Sequence, residues 1–194
     1  LLIFGILLIW LYFKNRRSYK LLEIKNHEIL SQKEKIEHQN VLISQHNKEI
    51  KSSIRYSGNI INAMLPPKSL IDEYFENFII FFPMEIVSGN FCQFYKKPDS
   101  LYFIVADCAG HGVPGALLAM LNIRILNRLI NVLEISEPSE ILKKLDEALN
   151  EATQSDTEVN PDGVDIGLLK IKPVADNPYL IEVLYSGARR DLIY

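Results

Sequence analysis

Leucine or isoleucine returns every seven residues from Leu22 through Ile29, Ile36 and Ile43 to Ile50, and no proline occurs before Pro66. A seven-residue apolar repeat keeps one ridge on one face of a helix that supercoils against a partner. The companion positions three residues on are Lys25, Gln32, Gln39, His46 and Ser53. The seam is thus apolar at only one of its two core positions, which predicts a weak coiled coil. Beyond Ile50 the stripe broadens to Ile54, Ile60, Ile61, Met64 and Leu65, and Pro66 and Pro67 end the helix. At about 1.5 Å per residue the rod from Lys20 to Leu65 is roughly 65–70 Å long. A solvated spacer is the bland reading of such a rod. A dimerising signalling helix, with a homodimer formed through residues 22–65, is favoured because the ridge lies close behind an apolar segment.

That segment, residues 1–13, reads "LLIFGILLIWLYF" and carries no charge, while Lys14, Arg16, Arg17 and Lys20 come directly after it. It is shorter than the roughly 20 residues that cross a bilayer. Because the chain starts at Leu1 rather than methionine, the expectation is the end of a transmembrane helix in a longer protein. A signal peptide would place its basic residues before the apolar run, and a buried helix of a soluble protein would not need so sharp a basic edge. The basic edge puts the downstream chain in the cytoplasm, so the expected location is the cytoplasmic membrane. The sequence therefore divides into a membrane segment (1–13), a basic edge with a coiled-coil helix (14–65) and a domain (66–194). Over 194 residues the hydrophobic share of 48% suits one moderate core. Cys92 and Cys108 are the only cysteines, too few for a zinc knuckle and too far apart for a redox pair. No nucleic-acid partner is expected.

After Pro67 the pattern is mixed. "FENFIIFFP" (75–83) reads as a short buried strand, and "FCQFY" (91–95) and "SLYFIVAD" (100–107) flank the turn signal "KKPD" as a hairpin. Pro114 and Gly115 precede an apolar helix, "ALLAMLNIRILNRLINVLEI", with polar residues confined to Asn122, Arg124, Asn127, Arg128 and Asn131, which belongs against a sheet. A second helix starts near Ser136 or Pro138 in "SEPSEILKKLDEALNEATQ". Strands return in "GVDIGLLKIK" (163–172), "YLIEVLYS" (179–186) and "DLIY" (191–194), with "PVADNP" and "GARR" as turns. Hairpins on either side of a helix pair predict an α+β fold with antiparallel sheets covered by helices.

The stretch with the most chemistry is "ADCAGHGVPGALLAML" (106–121). Asp107 ends an apolar strand and stands at its rim, while Gly110, Gly112 and Gly115 let the backbone turn, approach a ligand and expose carbonyl oxygens. A carboxylate beside exposed carbonyls suits a hard cation such as magnesium or manganese. It is not a Walker-type phosphate loop, since it lacks a Gly-Lys-Ser/Thr. A strand-end cap is the bland reading of Asp107.

"PMEIVSGNFCQFY", "LYFIVADCAGHGVPGALLAML", "GVDIGLLKI" and "YSGARRDLIY" together resemble successive motifs of the SpoIIE/RsbU-like serine phosphatases, a branch of the metal-dependent PPM phosphatases. The resemblance covers about residues 65–194, and "IRYSGNIINAMLPP" resembles the signalling helix that precedes such domains. It implies an αββα sandwich, incomplete in this chain, and hydrolysis of phosphoserine or phosphothreonine in bacterial signalling by water activated between two Mn2+ or Mg2+ ions. The implied partner is a phosphorylated regulatory protein of the anti-sigma-factor-antagonist type. By position Asp107 matches the aspartate that bridges the metals, and the Cys108 carbonyl matches a backbone ligand. Asn90 stands where the family's "SGDF" carries another metal-binding aspartate, and the aspartate of the last motif is expected past Tyr194. An amide offers one neutral oxygen and no charge, so a pseudophosphatase that keeps the fold but holds metal poorly is the alternative function. Asn90 beside Gly89 also reads as a plain turn residue.

His111 stands farther from Asp107 than the active-site histidine of other PPM phosphatases does from its aspartate, so loop packing is its expected role. Asp165 interrupts an apolar strand, either as a hydrogen-bonded group or as part of the site. Arg189 and Arg190 lie in a turn where they would attract a phosphorylated partner, or else are simply solvated. A sensor histidine kinase would share the membrane-proximal helix. However, His46 in "SQHNKEI" lacks a phosphoacceptor context, and the chain shows no nucleotide-binding Asn/Gly box.

Overall fold

The computed structural model describes residues 2–81, 83, 85–153, 163–174 and 177–193. It divides into two compact units, Leu1–Ser52 and Ser53–Tyr194.

The first unit is helical throughout its described residues and belongs to α1, Leu2–Met64. An unbroken helix of this length is possible because the segment contains no proline. Local support comes from Lys25–Glu28 at 3.1 Å and Lys33–Glu37 at 3.9 Å, exposed pairs that contribute at most about 0.5 kcal/mol each. The ridge of Leu22, Ile29, Ile36, Ile43 and Ile50 remains 56–59% exposed.

In the second unit, β1 (Asn90–Lys96), β2 (Leu101–Cys108), β3 (Val164–Val174) and β4 (Asn177–Ala188) form a four-stranded sheet in that order, each antiparallel to the next. The expected hairpin closes where the Lys97 amide donates to the Ser100 carbonyl at 2.8 Å. Four helical segments accompany the sheet: the end of α1, then α2 (Lys68–Asp72), α3 (Gly112–Asn127) and α4 (Pro138–Thr153). A π-helical turn, Arg128–Val132, prolongs α3.

Strand alternation decides what faces what. Tyr102, Ile104, Ala106 and Cys108 on β2 and Ile166 and Leu168 on β3 are buried in one cluster with Ala119, Ile123 and Leu126 of α3 and Ile141 and Leu145 of α4. Asp107 and Asp165 alternate to the opposite face. The stretch Gly112–Val132 is the one helix among the described residues apolar enough to cross a bilayer by length and composition. Its buried side chains, Ala119, Ile123 and Leu126 among them, pack against the sheet, while Leu117 and Val132 are exposed. The last turns of α1 belong to the same unit: Ile61 is buried with Val87 and Ala116, and Gln93 Nε2 donates to the Met64 carbonyl at 2.8 Å.

The structure departs from the expected strands at two places. Residues 75–81 form no strand, and Phe78 and Ile80 are 84% and 70% exposed. A strand needs a neighbouring edge for its amides and carbonyls, and no described strand pairs with this one. Phe75 instead stands edge-on to Phe94, with ring centroids 6.5 Å apart, and Phe82 lies outside the described residues. Asp191–Ile193 also joins no ladder, and Tyr194 lies outside the described residues. On α3, Asn122 is 1% exposed: its Nδ2 donates to the Leu118 carbonyl at 2.8 Å and lies 3.5 Å from Cys108 Sγ. Its Nδ2 is thus partnered inside the core, while its buried Oδ1 has no hydrogen-bond partner among the described residues. The described residues thus form one sheet with its helix layer. The second sheet of the expected sandwich is not among them. Gln154 and the turn residues Ala175 and Asp176 are likewise outside them.

Candidate functional site

Strand register sets Asn90 opposite Asp107, and Asp107 opposite Asp165, making a row across three strands at one rim of the sheet. The Asp107 side chain is 45% exposed and that of Asp165 37%. Like charges directly opposite on one face are destabilising, so this rim needs compensating charge.

Glycines bring the neighbouring backbones in. A Cβ on Gly89 would lie 3.0 Å from the Cys108 carbonyl oxygen and 3.2 Å from Gly115 Cα, and one on Gly115 would lie 2.6 Å from the Gly110 carbonyl oxygen. The start of β1, the loop after β2 and the first turn of α3 therefore meet backbone against backbone. Gly110 and Gly112 have φ of 84° and 62°, the left-handed region that glycine adopts without penalty. A side chain at Gly112 would also collide with the Glu85 carboxylate.

That carboxylate also meets the histidine of the loop, with His111 Nδ1 lying 2.6 Å from Glu85 Oε1. His111 therefore ties the glycine loop to the segment before β1. Pro83, Glu85, Asn90, Asp107, His111 and Gly112 are among the residues that line a cleft of about 260 Å³. On the other side of the row, Arg190 Nη2 donates to Asp107 Oδ2 at 2.7 Å, and Arg189 Nη1 lies 3.9 Å from Asp165 Oδ1. Asn90, Asp107, His111, Asp165, Arg189 and Arg190 thus lie about this rim. Glu85 and Tyr185 escaped notice: Glu85 lies in a quoted motif without a recognisable partner, and Tyr185 lies in a strand that reads as core.

Burial pushes the Cys108 thiol up to about 12, and the charge of Asp107 adds to the shift. Burial also raises Cys92. At pH 8 the Cys108 thiolate is expected to be roughly three orders of magnitude scarcer than that of a free cysteine. Iodoacetamide at pH 8 should leave Cys108 unlabelled in the folded chain and label it in urea, as counted by mass spectrometry; native labelling at the free-thiol rate would contradict the burial. A raised thiol pKa gives a contribution to stability that is complete below about pH 8.5 and is lost as the pH climbs from there towards 12.

The family model described as Stage II sporulation protein E (SpoIIE) matches residues 97–177. The chain is 30% identical over 104 residues to "Phosphoserine phosphatase RsbU" of Bacillus subtilis (strain 168), a match covering 53% of this chain and 30% of RsbU. Its fold matches the SiaA-PP2C domain of Pseudomonas aeruginosa with a TM-score of 0.57 at 28% identity, over 74% of this chain and 63% of that domain. Over these residues the chain is similar to the SpoIIE/RsbU-like PPM phosphatases. It spans under a third of the length of RsbU and under two thirds of the SiaA domain.

PPM phosphatases generally use Mn2+ or Mg2+. The described donors of this SpoIIE/RsbU-like chain do not fit a divalent pair. Among the described residues no group of three or more His, Cys, Asp or Glu side chains is placed to hold a metal ion. Asn90 contributes a neutral amide, and one oxygen of Asp107 is already engaged by a guanidinium.

Proposed function

We propose that the chain is part of a membrane-tethered serine/threonine protein phosphatase of bacterial signal transduction, acting on phosphoserine or phosphothreonine of a regulatory partner of the anti-sigma-factor-antagonist type. The observation that carries this reading is Asp107 at the sheet rim, beside a glycine loop that brings β1, β2 and α3 together. The phosphoserine phosphatase activity in RsbU's name supports the substrate class. In this reading residues 1–13 end a membrane helix, residues 14–65 form the basic edge and a coiled coil that pairs two copies through 22–65, and residues 66–194 supply the phosphatase domain on the cytoplasmic side. The exposed heptad ridge supports pairing, because a row of large apolar side chains gains most from burial against its own repeat. Asp107, Asn90 and the Cys108 carbonyl are the residues assigned to Mn2+ or Mg2+, with Arg189 and Arg190 the candidate contacts to a phosphorylated partner.

A second reading, a pseudophosphatase that binds a phosphoprotein without hydrolysing it, is favoured by Asn90 and by the Arg190–Asp107 pair. Phosphoserine-peptide hydrolysis with added manganese separates the two. Under the phosphatase reading activity is low and needs high manganese, Asn90→Asp raises it about tenfold or more by adding a charged ligand, and Asp107→Ala abolishes it. No hydrolysis by either the natural chain or Asn90→Asp would leave the pseudophosphatase. Activity surviving Asp107→Ala would overturn the site assignment.

A further inference from the structure

We infer that a cleft between the last turn of α1, β1 and α3 binds a small organic anion, a carboxylate or phosphate group carried on an apolar body. The cleft has a volume of about 620 Å³, and Met64, Gln93, Tyr95, Arg124, Asn127 and Asn131 are among the residues that line it. It lies on the helix side of the sheet. Gln93 and Tyr95 stand opposite Ile104 and Tyr102 and share their face, while Asp107 alternates to the other. The cleft is therefore separate from the rim described above.

Its walls follow from local spacing. Met120, Arg124, Asn127 and Asn131 are spaced by four, three and four residues, which puts them on one side of a helix. Asn131 belongs to the π-helical turn that prolongs α3, a form of turn frequent at functional sites. Across the cleft, the bond from Gln93 Nε2 to the Met64 carbonyl at 2.8 Å ties the end of α1 to β1. Met64 and Met120 supply apolar wall for the body of a ligand. Clefts of about 300–1,000 Å³ with apolar walls and a few converging polar groups are the usual form of a small-molecule site.

The polar groups decide the sign of the ligand's charge. Arg124 lines the cleft, and no aspartate or glutamate lines it among the described residues. The ion pairs among the described residues leave its guanidinium without a carboxylate. A guanidinium matches a carboxylate or phosphate through two parallel hydrogen bonds. Asn131 Nδ2 donates to Asn127 Oδ1 at 2.7 Å, which leaves the Asn127 amide hydrogens and the Asn131 oxygen to a ligand. Tyr95 is 8% exposed, and its buried hydroxyl has no hydrogen-bond partner among the described residues. Burial pushes this phenol above its usual range, so at neutral pH it stays an uncharged donor that does not repel an anion. A buried hydroxyl without a partner costs free energy in the free chain, and a polar atom of a bound ligand recovers it.

The test is binding of a fluoronaphthoate to the full chain, read by fluorine NMR, with circular dichroism confirming that each variant is folded. The neutral fluoronaphthamide should bind about tenfold more weakly, since it lacks the charge that Arg124 meets. A fluoronaphthylphosphonate, whose carbon–phosphorus bond a phosphatase leaves intact, is the second anion, and the tighter of the two names the anionic group. Arg124→Gln should weaken the anions about tenfold and leave the amide unchanged. Tyr95→Phe should weaken them about threefold without lowering the stability of the free chain, because the hydroxyl it removes is unpartnered there. Asn127 is exposed, so Asn127→Trp should fold and block the cleft to all three probes. Lys143→Gln on α4 makes the same change of net charge away from the cleft and should change nothing. An amide bound as tightly as both anions, or unchanged anion affinity in Arg124→Gln or Tyr95→Phe, would overturn the inference. An equal loss in Lys143→Gln, or undiminished binding to Asn127→Trp, would do the same.

Discussion

Leu126→Ala is expected to destabilise the second unit by about 2–5 kcal/mol. Leu126 is fully buried in the cluster that joins α3 to the sheet. Truncation there removes three heavy atoms and leaves a cavity between helix and strands that cannot close without moving α3, and interiors packed at crystal-like density do not relax far. Leu117, on the same helix, is 61% exposed, and Leu117→Ala should change stability by no more than about 0.5 kcal/mol. Chemical denaturation monitored by near-ultraviolet circular dichroism would compare them. Equal losses at the two positions would mean that α3 presents a different face to the sheet.

Gly115→Ala should cost about 2–3 kcal/mol, although alanine is the better helix former by about 1 kcal/mol. The added carbon would lie 2.6 Å from the Gly110 carbonyl oxygen and 3.3 Å from Gly89 Cα. Both are backbone atoms, which cannot rotate away as a side-chain tip would, so the glycine loop has to shift and carry the end of β2 with it. Gly163, with open space around its would-be Cβ, is the control: Gly163→Ala should stay within about 0.5 kcal/mol. The same denaturation experiment decides. A Gly115→Ala chain as stable as the natural one would show that the three backbones do not meet as described.

The four strands of the sheet were legible because each is a short apolar or alternating run bounded by turn residues, and the "KKPD" turn stands between the first two. The helices were legible from the absence of proline before Pro66 and from Pro114 and Pro138 near the starts of α3 and α4. Residues 75–81 misled because an apolar run has the composition of a strand whether or not a partner edge is available, and pairing is not a property of the run itself.

The sequence by itself determined the local grammar of this protein: the long proline-free helix with its heptad ridge, the strand ending in Asp107, the glycines that free the backbone beside it, and the amide at Asn90. These depend on backbone freedom and on side-chain periodicity along one segment. Only the tertiary structure decided which charges meet. Register placed Asn90, Asp107 and Asp165 in one row although Asp165 is far along the chain, folding brought Glu85 to His111, and the end of β4 brought Arg190 to Asp107. The physical reason is that an ion pair depends on distance in space, and for residues 83 positions apart that distance exists only once the sheet has assembled.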